Sequence, residues 1–252
     1  MSMARPPRDI RLFDRAELAA FVEENAGTLL EDEALAVLAN RHCGGRQCDL
    51  VAQVPRLVAF HSVRMRLVAH RATGRAHALK LLHYLRWNDL MRLSVEVTIP
   101  PPVRRAVEEL MLVRAPELTR GERIASARSC SSALIRHFLA DPDERIFASL
   151  LVNPRLREDD LVAAASSEKI TPDQIRCLAA DSKWSQRTPI RRAIAMNPRS
   201  PRAAAAEQLL YFSSRELQTI HDHPATPVYV RRCIERLGEH AASGGRRLRS
   251  GR

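Results

Sequence analysis

Residues 63–110 recur in similar form as residues 190–237, and this internal duplication restricts the fold more than any other feature. The two stretches align without a gap at an offset of 127 positions, as from Tyr84 to Tyr211. Self-similarity at a fixed offset indicates a repeat architecture, in which each unit packs on its neighbours.

Each copy has the spacing of four short amphipathic helices. The last of them carries apolar residues at i, i+3, i+4 and i+7, which is the spacing of one helix face. We expect the hydroxyls of Thr73 and Ser200 to begin the second helix as N-caps, since a proline follows Ser200. The third helix should begin near Asp89 and Glu216, because an acid there favours the helix dipole. Helices this short are marginal alone and must stack on others.

The sequence therefore predicts an all-α fold, a right-handed α-solenoid of roughly a dozen short helices in two duplicated halves. Residues 1–12 are expected to be disordered. The first helical-repeat half with its connecting helix should cover 13–133 and the second half 134–238. Residues 239–252 are rich in glycine, serine and arginine, and we expect a disordered basic tail.

Local residues place further helix ends. Asp14, Thr28, Thr119 and Thr171 are each expected to begin a helix as an N-cap. Segment 41–47 contains two glycines and is expected to be a loop.

The net charge of +11 and the pI of about 10.4 are compatible with an acidic partner or nucleic acid. Only three of the 40 basic residues are lysines, a bias that GC-rich genomes also produce. Four arginines recur in both copies. They could form rows on one face that suit phosphates or an acidic partner, or they could close helix ends or pair with Glu108 and Glu235. The recurring arginines are Arg64, Arg75, Arg104 and Arg105, with their counterparts Arg191, Arg202, Arg231 and Arg232.

Trp87 completes the set of candidate binding residues. Its counterpart is Ser214, so an aromatic side chain is not required by the repeat. Trp87 either packs locally in the first copy or is an exposed anchor for a partner. Asp89 is interpreted as the acid of a helix N-terminus, a role that Glu216 would share.

The histidines and cysteines do not predict a metal site. His42, Cys43 and Cys48 supply three possible ligands, whereas zinc usually takes four, and no second pair follows. His221 and His223 flank Asp222, a placement that a helix C-terminus also explains. The five cysteines are odd in number and scattered, which argues against a disulfide framework. We expect no cofactor.

The corner motifs Asn153-Pro154, Asn197-Pro198-Arg199-Ser200-Pro201 and His223-Pro224-Ala225-Thr226-Pro227 resemble those of bacterial HEAT-like and leucine-rich-repeat-variant families. The resemblance covers about residues 28–238 and implies helical repeats with a binding surface. Some repeat-variant proteins have an N-terminal iron–sulfur cluster. This chain has only Cys43 and Cys48 there, so the cluster is not carried over.

We therefore expect a non-catalytic cytoplasmic scaffold or adaptor that binds a protein or peptide on its concave face. The chain has no phosphate-binding glycine loop, nucleophile elbow or HExxH motif, and no apolar run that could span a membrane. The alternative is a nucleic-acid-binding HEAT-like protein. HEAT-like DNA glycosylases use a concave Trp, Asp and Arg, and Trp87, Asp89 and Arg104 could form such a set.

Overall fold

A computed structural model describes the backbone of residues 9–249 and the side chains of residues 9–239. Within this range the chain forms seventeen α-helices and two short 3-10 helices, Ile10–Leu12 and Ala115–Glu117, and no strand. The α-helices are α1 (Arg15–Asn25), α2 (Glu31–Ala39), α3 (Gly45–Gln53), α4 (Pro55–Ala59), α5 (His61–Ala69), α6 (Arg75–Leu82), α7 (Trp87–Val95), α8 (Pro101–Arg114), α9 (Arg120–Ala127), α10 (Ser132–Leu139), α11 (Glu144–Leu151), α12 (Glu158–Ala165), α13 (Pro172–Ala180), α14 (Thr188–Met196), α15 (Arg202–Leu209), α16 (Ser214–Asp222) and α17 (Val228–Arg249).

The all-α class is confirmed, but the expected number of helices was too low. The predicted loop at 41–47 contains the start of α3, because the Gln47 side chain accepts a hydrogen bond from the Gly44 amide and begins a helix there. None of the helices in the described part of the chain is long and apolar enough to cross a bilayer.

The duplication predicts equal secondary structure in the two copies, and this is confirmed. Helices α5, α6 and α7 coincide at both ends with α14, α15 and α16 at the offset of 127 positions. Helix α8 begins where α17 begins, but α17 continues to Arg249, so helical backbone replaces most of the predicted disordered tail at 239–252. Residues 250–252 lie outside the described part.

The N-terminal segment 1–12 was expected to be disordered. Residues 1–8 lie outside the described part, whereas Ile10–Leu12 forms a 3-10 helix and the Ile10 side chain is buried. The Asp9 carboxylate caps this turn by accepting a hydrogen bond from the Arg11 amide.

Three of the four predicted N-caps are confirmed. Asp14, Thr119 and Thr171 each accept a backbone amide of the following first turn. The prediction for Thr28 is wrong, because the next helix begins at Glu31. There the Glu33 carboxylate accepts a hydrogen bond from the Leu30 amide, which satisfies one of the free N–H groups at the start of the helix.

The hydroxyls of Thr73 and Ser200 do not cap helices as predicted. Helices α6 and α15 begin one residue later than expected, after Gly74 and Pro201, and neither has a side-chain cap. The Ser200 hydroxyl donates instead to the Ile194 carbonyl, 2.5 Å away, at the end of the preceding helix.

The chain divides into two compact units, and the first ends at Glu117. The sequence predicts this boundary after residue 133. The difference arises because α9 packs on α11 in the second unit, where Arg120 pairs with Asp143 and Arg123 pairs with Asp141.

The second unit contains two rows of helices. Helices α9, α11, α13, α15 and α17 contact one another in that order, and α10, α12 and α14 do the same in a second row. Successive helices contact each other across the rows, as α13 does with α14 and α14 with α15. In the first unit α5 packs on α2, α4 and α6, and α8 packs on α6 and α7.

Candidate functional site

A buried asparagine follows three of the helices and connects each to an earlier turn. Asn197 shows the pattern. Its Nδ2 donates to the carbonyls of Ala165 and Ser167, at 2.6 and 3.0 Å, and its Oδ1 accepts the Arg199 amide at 2.8 Å. The Asn197 amide thus satisfies carbonyls at the C-terminal end of α12, and its oxygen stabilises the turn that follows α14. The residues that make these contacts are Asn40, Asn153 and Asn197.

Histidine replaces asparagine at two other corners. The Nδ1 atoms of His70 and His223 accept the amides of Ala72 and Ala225, each at 3.2 Å. The imidazole therefore makes the corner turn as asparagine does. His70 is the repeat counterpart of Asn197.

Many of the arginines close helix ends. Arg104 donates to the carbonyls of Val97 and Ile99, and its counterpart Arg231 donates to those of His223 and Pro224. A guanidinium suits this role because its fork of donors can satisfy two carbonyls. The other arginines that donate to carbonyls in this way are Arg56, Arg114, Arg155, Arg191 and Arg199.

The recurring arginines lie on separate surfaces of the first unit. Arg64 lines a cavity of about 490 Å³. Arg75 and Arg105 are exposed and line a different groove, between α6 and α8. In the second unit Arg202 lies over the Tyr229 ring, 5.8 Å from its centroid, and Arg232 is exposed.

An arginine–tyrosine pair recurs in both units at equivalent positions. Arg64 and Tyr84 line the 490 Å³ cavity together with Lys80 and apolar side chains. In the second unit the Arg191 guanidinium lies over the Tyr211 ring, 3.8 Å from its centroid. The two tyrosines are 59% and 57% exposed, although both copies keep them. Sequence analysis aligned these tyrosines but did not select them as binding residues.

Of Trp87, Asp89 and Arg104, the latter two are engaged in contacts within the fold. Asp89 is buried, and its carboxylate accepts the Arg86 amide at 3.0 Å and lies 3.3 Å from Nε2 of His61. The interpretation of Asp89 as a helix N-terminal acid is therefore confirmed. Trp87 is half-buried at the first residue of α7.

The structure brings Cys43 and Cys48 together with His70, a residue that sequence analysis did not connect with them. The two sulfurs are 3.8 Å apart, and Cys48 Sγ lies 3.3 Å from Nδ1 of His70. The hydrogen bond between the thiols, and next to it the His70 imidazole, lowers the pKa of Cys48, whereas the same bond and burial raise the pKa of Cys43. His42 is directed elsewhere and accepts from Arg41. All five cysteines are free.

The imidazole of His221 lies between two carboxylates, with Asp222 at 3.0 Å and Glu235 at 3.3 Å. These hydrogen bonds, first that to Asp222, raise the pKa of His221 above its ordinary value of 6.5. Because the folded-state pKa is raised, the pairing stabilises the fold below the ordinary pKa and is lost as the pH rises through the raised value. The imidazole is partly exposed and both carboxylates are exposed, so the change in stability should be small.

We expect an NMR titration of the His221 ring to have its midpoint above 6.5. The substitutions D222N and E235Q should each move the midpoint down. A midpoint at or below the ordinary value in the unaltered chain would show that the carboxylates do not hold the ring.

Comparison with known proteins finds no relative: no protein-family model, no curated protein and no solved structure matches the chain.

Proposed function

We propose that this protein is a non-catalytic interaction scaffold that binds acidic peptide segments through its two arginine–tyrosine pairs. The observation that carries the proposal is the recurrence of Arg64 and Tyr84 as Arg191 and Tyr211, with both tyrosines largely exposed. Tyrosine and arginine are the residue types that most often dominate binding energy at protein interfaces.

The composition of the first cavity indicates the kind of peptide. Arg64 and Lys80 supply positive charge, whereas Val58 and Leu81 supply apolar surface. A segment that alternates carboxylate and aliphatic side chains satisfies both. The net charge of +11 would also attract an acidic partner.

The two rows of helices in the second unit support a solenoid-type stack as the framework. In a solenoid, helix pairs contact only their neighbours, as α11, α13 and α15 do in one row. This is the arrangement that the resemblance to HEAT-like and leucine-rich-repeat-variant families implies. A rigid stack would hold each pair in place without an ordering cost on binding.

Nucleic acid is the competing ligand, since bases stack on tyrosine and arginine contacts phosphate. The arginine placement favours peptide. Arg104 and Arg231 are engaged with backbone carbonyls, and Arg75 lies on a different surface from Arg64. These recurring arginines are therefore not gathered into one continuous groove of the kind that a phosphate backbone requires.

The test is fluorescence anisotropy of the full chain with a fluorescein-labelled peptide of alternating glutamate and leucine. We expect Y84A and R64Q each to weaken binding at least about tenfold, since residues of this type contribute on the order of 2 kcal/mol when they anchor an interface. Binding should also weaken as salt is added. The matched control is R92Q, an exposed arginine on α7 that does not line the cavity.

Tyr211 allows the second unit to be tested in the same way. Adding Y211A to the Y84A variant should weaken the remaining peptide binding. Thermal unfolding of Y84A and of Y211A should be unchanged, because both rings are exposed. Binding that is equal for unaltered chain, Y84A and Y211A overturns the proposal. Tighter binding of an oligothymidylate that depends on the same tyrosines would replace peptide with nucleic acid.

A further inference from the structure

We propose that Cys43, Cys48 and His70 form a binding site for a zinc-type divalent cation in the first unit. Cys43 lies in the turn before α3, Cys48 lies within α3, and His70 follows α5. Their potential ligand atoms all lie within 4.8 Å of one another, and both cysteines are buried. Thiolate and imidazole are the ligands that zinc prefers.

Two of the three separations between ligand atoms are close to those of tetrahedral coordination, and the third, between the Cys43 sulfur and the His70 ring, is at most 4.8 Å. A zinc ion about 2.3 Å from two sulfurs places them roughly 3.8 Å apart, and the Cys43 and Cys48 sulfurs are separated by 3.8 Å. A sulfur and an imidazole nitrogen on the same ion are about 3.6 Å apart, against 3.3 Å for Cys48 and His70. The metal would take the Nδ1 lone pair that accepts the Ala72 amide at 3.2 Å, so a weak hydrogen bond is exchanged for coordination.

The corner at Thr73 differs from its equivalents in a way that the cation explains. The hydroxyls of Ser200 and Thr226 donate to the carbonyls of Ile194 and Ile220, each at 2.5 Å. The Thr73 hydroxyl is buried, makes no such bond and lies beside the Cys48 sulfur. It is placed to donate to a metal-bound thiolate or to a solvent molecule on the metal.

The fourth coordination position would be filled from outside. Among the described residues, no fourth histidine, cysteine or carboxylate joins the three. Cys43 and His70 line a surface cavity of about 310 Å³, so solvent or a small anion can reach the cluster. Arg41, Arg66 and Arg71 line the same cavity and would favour an anion at that position.

The site does not depend on peptide binding, because none of its ligands lines the cavity of Arg64 and Tyr84. Cobalt(II) is the direct probe, since a tetrahedral cobalt–thiolate site absorbs visible light and shows a sulfur-to-metal charge-transfer band. We expect the metal-stripped, reduced full chain to bind one cobalt ion with these bands and to exchange it for zinc.

Three variants test the ligands. C48S and H70N should remove the charge-transfer band or lower zinc affinity at least about 100-fold, because loss of an outer-sphere partner alone lowers affinity about 10–100-fold. H70N is expected to fold, since asparagine occupies the equivalent position 197. C177S changes a cysteine outside the cluster and should have no effect.

Two results would overturn the proposal. One is cobalt binding without a charge-transfer band, or with a band that H70N and C48S leave unchanged. The other is failure of zinc to slow thiol labelling of Cys43 and Cys48 while mild oxidant readily links them, which would identify a redox dithiol instead. Peptide binding by H70N should be normal, so failure of this site is distinguishable from failure of the peptide site.

Discussion

Replacing Asn197 with alanine is expected to lower the free energy of unfolding by about 3 kcal/mol or more, because each buried polar group left without a partner costs about 1–3 kcal/mol. The substitution removes the donor to the carbonyls of Ala165 and Ser167 and the acceptor of the Arg199 amide. Asn197 is only 2% exposed, so water cannot replace these bonds easily. Urea unfolding of the full chain measures the change.

Two further variants separate the contacts of this side chain. N197H should be milder than N197A, because histidine makes the equivalent corner at position 70 by accepting the amide two residues on. N197D should be at least as harmful as N197A, since a carboxylate would face two carbonyl oxygens. The control N88A changes an exposed asparagine, where shifts are usually within about 0.5 kcal/mol. Equal stability of N197A and N88A would show that the corner is held by backbone alone.

The sequence was informative where a helix end is made by neighbouring residues. Asp14 and Thr119 cap their helices as predicted, and in each case a glutamate three positions later completes the cap. The prediction failed at Ser200, whose hydroxyl has a backbone acceptor six residues back in the preceding helix. Ser200 is compatible with both bonds, and only the folded corner decides between them.

Contacts between distant residues explain the other failures. The buried asparagines bond to carbonyls far away in the chain. Asn153 donates to the Ala127 carbonyl, 26 positions earlier, and no local pattern connects these two residues. His70 joins Cys48 for the same reason, 22 positions away. The duplication offered one indication that position 70 differs between the copies, because His70 occupies the position at which the second copy has Asn197.

The recurring arginines show how one sequence pattern covers two roles. Both copies keep Arg104 and Arg231 because the carbonyls at a helix end recur with the fold. Arg64 and Arg191 recur with an exposed tyrosine, although Arg191 also donates to the Ser185 carbonyl. Identity between copies therefore does not separate the arginines that close helix ends from those that we propose to bind a partner. The proposal depends on the exposure of the two tyrosines.

Replacing Trp184 with alanine is expected to cost about 4 kcal/mol, as large-to-small changes of buried tryptophan commonly do. The side chain is 4% exposed, and its Nε1 donates to the Leu151 carbonyl at 3.0 Å. The ring therefore fills space in the core of the second unit and also satisfies a backbone carbonyl.

Graded substitutions divide this cost between packing and the hydrogen bond. W184F keeps most of the ring volume but leaves the Leu151 carbonyl without its donor, so we expect a loss of about 1–3 kcal/mol. W184L keeps an apolar side chain but removes the indole hydrogen bond, and it should fall between W184F and W184A. K183Q tests the Lys183 ammonium, 4.2 Å from the ring centroid, and should cost under about 1 kcal/mol. If W184L matched the unaltered chain in urea unfolding, neither the volume of the ring nor the indole hydrogen bond would contribute to the stability of the second unit.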